Sequence, residues 1–137
     1  MSGFTNYLED KLMAHTFGGV AYTAPAQWYV GLQTSTPSDS SGGVEVTGGA
    51  YARQPVSWTI QSGGVSKSSN SAALTFPAAS TDWGLVTHAG VYDSLSGGNL
   101  VAFEVLTKTD FATANSKQVN TGDILKIDTS NLQITLD

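Results

Sequence analysis

Near the start of the chain, Phe4, Tyr7, Leu8, Lys11, Leu12 and His15 recur at i, i+3 and i+4. That spacing places side chains on one face of an α-helix. It predicts a helix over residues 3–16, with Ser2 as a candidate N-cap and Gly18-Gly19 as a left-handed stop. Pro25 keeps the following Val20–Ala26 stretch extended. From Gln27 the period falls to two: Trp28, Val30 and Leu32 alternate with Tyr29, Gly31 and Gln33, which predicts a half-buried strand over Gln27–Thr34. Further strands are predicted at Ala50–Thr59, Ser71–Phe76, Leu85–Tyr92, Leu100–Leu106, Gln118–Val119, Ile124–Asp128 and Leu132–Leu136. Pro55 lacks an amide proton, so its strand belongs at an edge or a bulge. Residues 35–49 read as a long polar loop with a short strand at Val44–Val46, residues 60–70 as turns, and Thr109–Asn115 as one helical turn. Asp93–Asn99, with Gly97-Gly98, joins two strands in the clearest hairpin of the chain.

About eight short strands, roughly ten residues apart, with one N-terminal α-helix predict an all-β fold. The expected architecture is an antiparallel β-sandwich or a jelly-roll-like small barrel. The 137 residues make a single domain. Residues 1–17 form its helical segment, a candidate anchor, and residues 18–137 its sandwich. Deleting residues 1–17 is then expected to leave the β-domain folded.

Composition narrows the function. Ser (16), Thr (16) and Gly (15) make a third of the chain, while charged residues are 12%, about half the usual ~25%. The polar surface is therefore mostly hydroxyl and amide. Net charge is −5, and the six cations, Lys11, Arg53, Lys67, Lys108, Lys117 and Lys126, stand singly along the sequence. A nucleic-acid partner, which needs clustered cations to displace counterions, is not expected. Nor is a membrane partner, because no apolar run approaches a span. Glu9 and Asp10 precede Lys11 where a secretory leader would be basic. Cysteine is absent, which removes disulfides, thiol nucleophiles and thiolate metal sites.

Candidate chemistry is sparse. His15 and His88 have no second ligand at metal spacing, so no metal is expected. His15 suits a helix C-terminus, and His88, inside a strand, suits structural packing. No Gly-x-Ser-x-Gly elbow occurs to support a Ser–His–Asp reading with His88 and Asp93. Glu104 sits mid-strand on an apolar parity, where an edge, a contact or a lysine partner explains it better than catalysis. The glycine pairs lie between strands and read as turns rather than phosphate loops. Asn120-Thr121-Gly122-Asp123 offers oxygen ligands far short of a calcium loop. No catalytic residue and no cofactor are predicted, and the chain is expected not to be an enzyme.

Aromatic residues exceed what a plain core requires, and Trp28 and Tyr29 fall on opposite parities of one strand. Exposed apolar patches usually mark association. Phe4, Tyr7, Leu8, Leu12, Trp28 and Tyr29 are therefore candidate interface residues. Trp58, Asp82 and Trp83 are candidate glycan contacts, since an acid beside aromatics suits a sugar.

The ordered set His15–Pro25, Trp28-Tyr29-Val30-Gly31-Leu32, Gly48–Arg53, Leu74–Ala78, Trp83–Asp93, Gly97–Phe103, Asn120–Asp123 and Leu132–Leu136 resembles a family of small tailed-bacteriophage virion proteins labelled tail fibre proteins. The resemblance runs nearly the whole length and is strongest from Trp83 to Phe103. It implies a non-enzymatic structural protein located in the virion and made in the host cytoplasm. A single β-domain without repeats fits a head decoration or cement subunit better than a long fibre, so capsid decoration is the first expectation. A collar, tail-tip or fibre component is the alternative, and a carbohydrate-binding module the second. The implied partners are the major capsid protein or tail and neck proteins, together with self-association as a dimer or trimer.

Overall fold

A computed structural model describes residues 3–64, 66–108 and 110–136. In chain order the elements are β1 (Gly3–Phe4), α1 (Asn6–Gly18), β2 (Trp28–Gln33), β3 (Gln54–Val56), β4 (Trp58–Gln61), β5 (Ser66–Asn70), β6 (Leu74–Thr75), β7 (Gly84–Val86), β8 (His88–Tyr92), β9 (Leu100–Val105), β10 (Lys117–Val119), β11 (Lys126–Ile127) and β12 (Gln133–Leu136). The principal sheet runs β1-β9-β8-β2-β3, a second runs β12-β5-β4, and β10-β7 and β11-β6 make two-stranded ribbons. Every pairing described is antiparallel. The sheets do not close into a barrel, so the predicted all-β class holds in its sandwich form.

Register explains the core. Trp28 pairs with Val56, Val30 with Val91 and Leu32 with Ala89, while Val91 pairs with Ala102 and Ala102 with Phe4. Directly opposed residues share a face, so this is one continuous apolar face. Val30, Leu32, Val56 and Ala89 meet Leu74, Phe76, Val86, Val119, Leu125 and Leu132 from the other elements. The rest of this apolar surface, Val91, Val101 and Ala102, is covered by Phe4, Tyr7, Leu8, Trp28, Trp58 and Ile134.

Twelve strands among the described residues exceed the predicted eight because two long expectations break and β1 and β5 are added. Ala50–Thr59 divides at Ser57 into β3 and β4, which join different sheets, and Pro55 lies on the edge strand β3 as its missing amide requires. Leu85–Tyr92 divides at Thr87, whose amide donates to Gln33 O (2.9 Å) at the end of β2. The expected turns at 60–70 are corrected by β5, whose strand character comes from its partners β4 and β12 and not from alternation. The helical turn expected at Thr109–Asn115 is also corrected. Asp110 instead accepts from the Ala112 and Thr113 amides (2.9 Å each) and the Thr113 hydroxyl (2.6 Å), a local turn that competes with helix. Thr109 itself lies outside the described residues. The Thr113 hydroxyl and amide, then the Ala112 amide, hold the Asp110 carboxyl down at about 2.

The helix begins three residues later than expected. Gly3 and Phe4 are extended and pair with Phe103 and Ala102. Thr5 takes the N-cap position without capping, because its hydroxyl donates to Leu100 O (2.6 Å) and its amide to Val101 O (3.0 Å). Ser2, the expected cap, lies outside the described residues. Gly19 closes the helix in the left-handed region (φ 66°), as the glycine pair predicts.

Candidate functional site

The N-terminal arm divides into an inner and an outer half. Phe4, Tyr7 and Leu8 are half-buried against Val91, Val101 and Ala102. Leu12 is half-buried farther along α1, and no helical residue is fully buried. Beyond it, Met13, Phe17 and Val20 are exposed by 60, 79 and 58%. His15, at the helix end as expected, meets Val20 O through Nδ1 (3.1 Å) and pins the returning strand of chain. The candidate interface residues Phe4, Tyr7, Leu8 and Trp28 thus come together in one cluster, and Trp58 joins them. Tyr29 projects from the opposite face of β2, paired with Tyr92. The most exposed apolar side chains of the arm lie one to eight residues past Leu12, the last of the predicted set on the helix. The only sequence signal for them is a methionine and a phenylalanine in the last turns before a glycine stop.

The candidate glycan residues are otherwise engaged. Trp83 is buried, its Nε1 donates to Gly49 O (2.8 Å), and its ring meets Tyr51 edge-on at 5.5 Å. Asp82 is exposed but accepts from the Thr121 amide (2.7 Å) and hydroxyl (3.0 Å), which hold its carboxyl below the usual range. Trp58 is half-buried at the start of β4. Trp83 is thus turned into the core, and Asp82 stays at the surface with Oδ1 engaged by Thr121.

The second face of the principal sheet carries a polar layer not foreseen from the sequence. Gln33, His88 and Tyr92 lie there around the pair Gly31 and Gly90. Arg53, 7% exposed, stacks its guanidinium 3.5 Å from the Tyr92 ring centroid. It grips Glu45 through Nε to Oε1 and Nη2 to Oε2, both 2.8 Å. Its Nη1 donates to Ser94 O (2.7 Å) and Gly97 O (2.9 Å) of the β8–β9 hairpin. Tyr51 donates to Glu45 Oε1 (2.7 Å) and accepts from the Leu32 amide (2.9 Å). Burial and then the Glu45 bond raise the Tyr51 phenol well above its ordinary value. Burial pushes Tyr92 up to about 12. Gln33 Nε2 donates to the Tyr92 hydroxyl. The layer thus ties loop 34–49, residues 51–53 and hairpin 93–99 together.

His88 is 4% exposed, with Nδ1 2.8 Å from the Thr87 hydroxyl. Its Nε2 and Gln33 Oε1 have no hydrogen-bond partner among the described residues. Burial lowers the imidazole pKa below its ordinary 6.5. An unfolded chain therefore binds a proton at a pH where the folded one still resists it. Stability is complete above about pH 6.5 and declines as pH falls below that value. Urea midpoints at pH 7.5 and 5.5 are expected to separate for the natural chain and to draw together for His88→Gln. Equal separations would clear His88 of this role.

A family model described as podophage GP4 fiber I protein gp80 matches residues 3–135. The chain belongs to this phage fibre family. No curated protein matches it. Membership makes the chain a phage structural protein and a virion component, in line with the resemblance read from its motifs. A fibre family fits the tail-associated alternative and lends no support to the head decoration put first.

Proposed function

We propose that this fibre-family chain is a non-enzymatic, tail-associated subunit that seats on neighbouring tail or neck proteins through the outer half of α1. The observation that carries the docking reading is the exposed pair Met13 and Phe17, with Val20 just past the glycine stop, on a helix whose inner end packs on its own sheet through Tyr7 and Leu8. Exposed apolar side chains rimmed by polar surface favour association, and each is worth roughly 1.5–3 kcal/mol when fully covered. Self-association as a dimer or trimer could use the same side chains, and the test below separates it from docking on other proteins.

Residues 1–17 include β1 and the cover of Val91, Val101 and Ala102, so their removal would injure the domain as well as any docking. The sharper variant is Met13→Asp/Phe17→Asp. Both positions are exposed, so the melting temperature is expected to hold within about 2 °C, as for surface changes worth under ~0.5 kcal/mol. Phages carrying the variant are expected to lose the subunit from purified particles. Full incorporation would sink the docking role of the arm. Immunogold on natural particles is expected to mark the tail or neck, whereas label spread over the head would restore decoration. Sedimentation of the natural chain alone as a dimer or trimer, abolished in the variant, would make these side chains a self-contact.

A further inference from the structure

A groove that α1 does not line, though Gly3 of β1 does, gathers three of the chain's lysines. It has a volume of ≈ 510 Å³, within the ~300–1,000 Å³ span of ligand sites. Lys108, Lys117 and Lys126 line it, half of the six cations of a chain whose net charge is −5. They stand apart in sequence, and only the antiparallel fold gathers them. Glu104 and Asp128 also line the groove, and Asp128 pairs with Lys126 (3.1 Å). Lys108 and Lys117 are exposed and belong to neither ion pair described among the described residues. Leu106, Ile127 and Ile134 supply apolar wall, while Thr107, Asn131 and Gln133 bring hydroxyl and amide groups. Phe111 stands at the same groove, 48% exposed and held in left-handed backbone (φ 57°). Such backbone is costly for a residue with a side chain and concentrates at ligand sites.

We propose that this groove binds a segment of an acidic polysaccharide, with Lys108 and Lys117 meeting its anionic groups and Phe111 stacking on a sugar face. A neutral sugar would leave the lysines without a role, and a small anion would leave Phe111 and the amide side chains without one. The inference takes its setting from the tail-associated reading, where the chain would meet the cell surface.

Titration of the full chain with polygalacturonate, a carboxylate polymer, and with a phosphomannan, a phosphate-bearing polysaccharide, distinguishes the two anionic sources. Neutral dextran and inorganic phosphate are the controls. Saturable binding to at least one polymer is expected, weakening as salt rises. Lys108→Glu/Lys117→Glu is expected to weaken it at least tenfold, roughly the sum of two lost and reversed exposed pairs. Phe111→Gly relieves the backbone, so weaker binding by a fully folded variant isolates the ring. An unchanged melting temperature in all variants certifies the fold. Should a variant unfold, broadening of the groove's amide resonances by polymer in the natural chain carries the test. No polymer binding, equal binding of dextran, or binding indifferent to the lysine reversal overturns the proposal. Tail labelling with no polymer binding would defeat the groove and leave the tail assignment standing.

Discussion

Arg53→Met is expected to destabilise the protein by about 3 kcal/mol, the lower end of the ~3–5 kcal/mol cost of breaking a buried ion pair. The lower end applies because Glu45 keeps 23% of its side chain in water. Methionine keeps a side chain of similar length without the guanidinium, so the loss reports that group, its stacking on Tyr92 included. Four hydrogen bonds disappear with it, two to Glu45 and one each to Ser94 O and Gly97 O. Glu45 is then left as a charge facing Tyr51 and the sheet, and two carbonyls of the hairpin lose their donor. A melting temperature lower by roughly 10 °C follows. Glu45→Gln leaves the cation unpaired and is expected to cost a similar amount. The double variant removes both charges and is expected to cost less than the two singles added, by about 2 kcal/mol. Additive losses would mean that Arg53 acts through the hairpin carbonyls and Tyr92 rather than through Glu45. In hydrogen exchange, Arg53→Met is expected to release the Asn99 amide, which Asp93 Oδ1 accepts at 2.7 Å inside the hairpin. If that amide stays protected, Asp93 closes the loop unaided.

That pair also marks where the sequence stops being legible. β2, β8 and β9 are readable because their apolar residues alternate and because a glycine-rich turn joins the last two. Their alternation points to one face, and that face is the core. The other face could not be read the same way, since Tyr29, Gly31 and Gln33 look like solvent-facing residues until loop 34–49 is known to close over them. Glu45 lies in a stretch of Ser, Gly and Thr that reads as a polar loop, and nothing in its neighbours announces a partner eight residues on. β5 was invisible for a related reason. Ser66-Lys67-Ser68-Ser69-Asn70 carries no hydrophobic pattern, and its place between β4 and β12 comes from backbone pairing and from Asn70. That side chain is fully buried, donating to Ala72 O and Asp128 O and accepting from the Leu132 amide. The arm was legible in part. Periodicity located the helix and its apolar stripe but left open whether the stripe docks on the sandwich or on a neighbour; Tyr7 and Leu8 pack against Val91, Val101 and Ala102, while Met13 and Phe17 stay outside. The groove lysines were legible only as scattered charges, because sequence distance hides what antiparallel pairing gathers.

Gly31→Ala is expected to cost about 3 kcal/mol, the upper part of the ~1–3 kcal/mol range for forcing volume into a packed interior. Gly31 is extended like its neighbours in β2, so space rather than backbone freedom requires glycine there. A Cβ at this position would sit 2.7 Å from Glu45 Oε1, 2.7 Å from the Tyr51 hydroxyl and 2.9 Å from Tyr92 Cε2. None of the three can yield cheaply. Glu45 is held by Arg53, Tyr92 lies beneath that same guanidinium, and the Tyr51 hydroxyl is the acceptor for the Leu32 amide. One methyl group therefore strains the ion pair, the stacked ring and the completion of the β2 ladder together. Tyr51→Phe removes one of the crowding atoms but frees the Leu32 amide, so alone it is expected to cost about 1–3 kcal/mol. Combined with Gly31→Ala, it is expected to cost less than the sum, because the hydroxyl is no longer there to be displaced. Chemical denaturation of the four proteins measures the cycle. A loss below 1 kcal/mol for Gly31→Ala would show that the polar layer can part to admit a methyl group, and that it fastens the loops to the sheet less firmly than its short contacts imply.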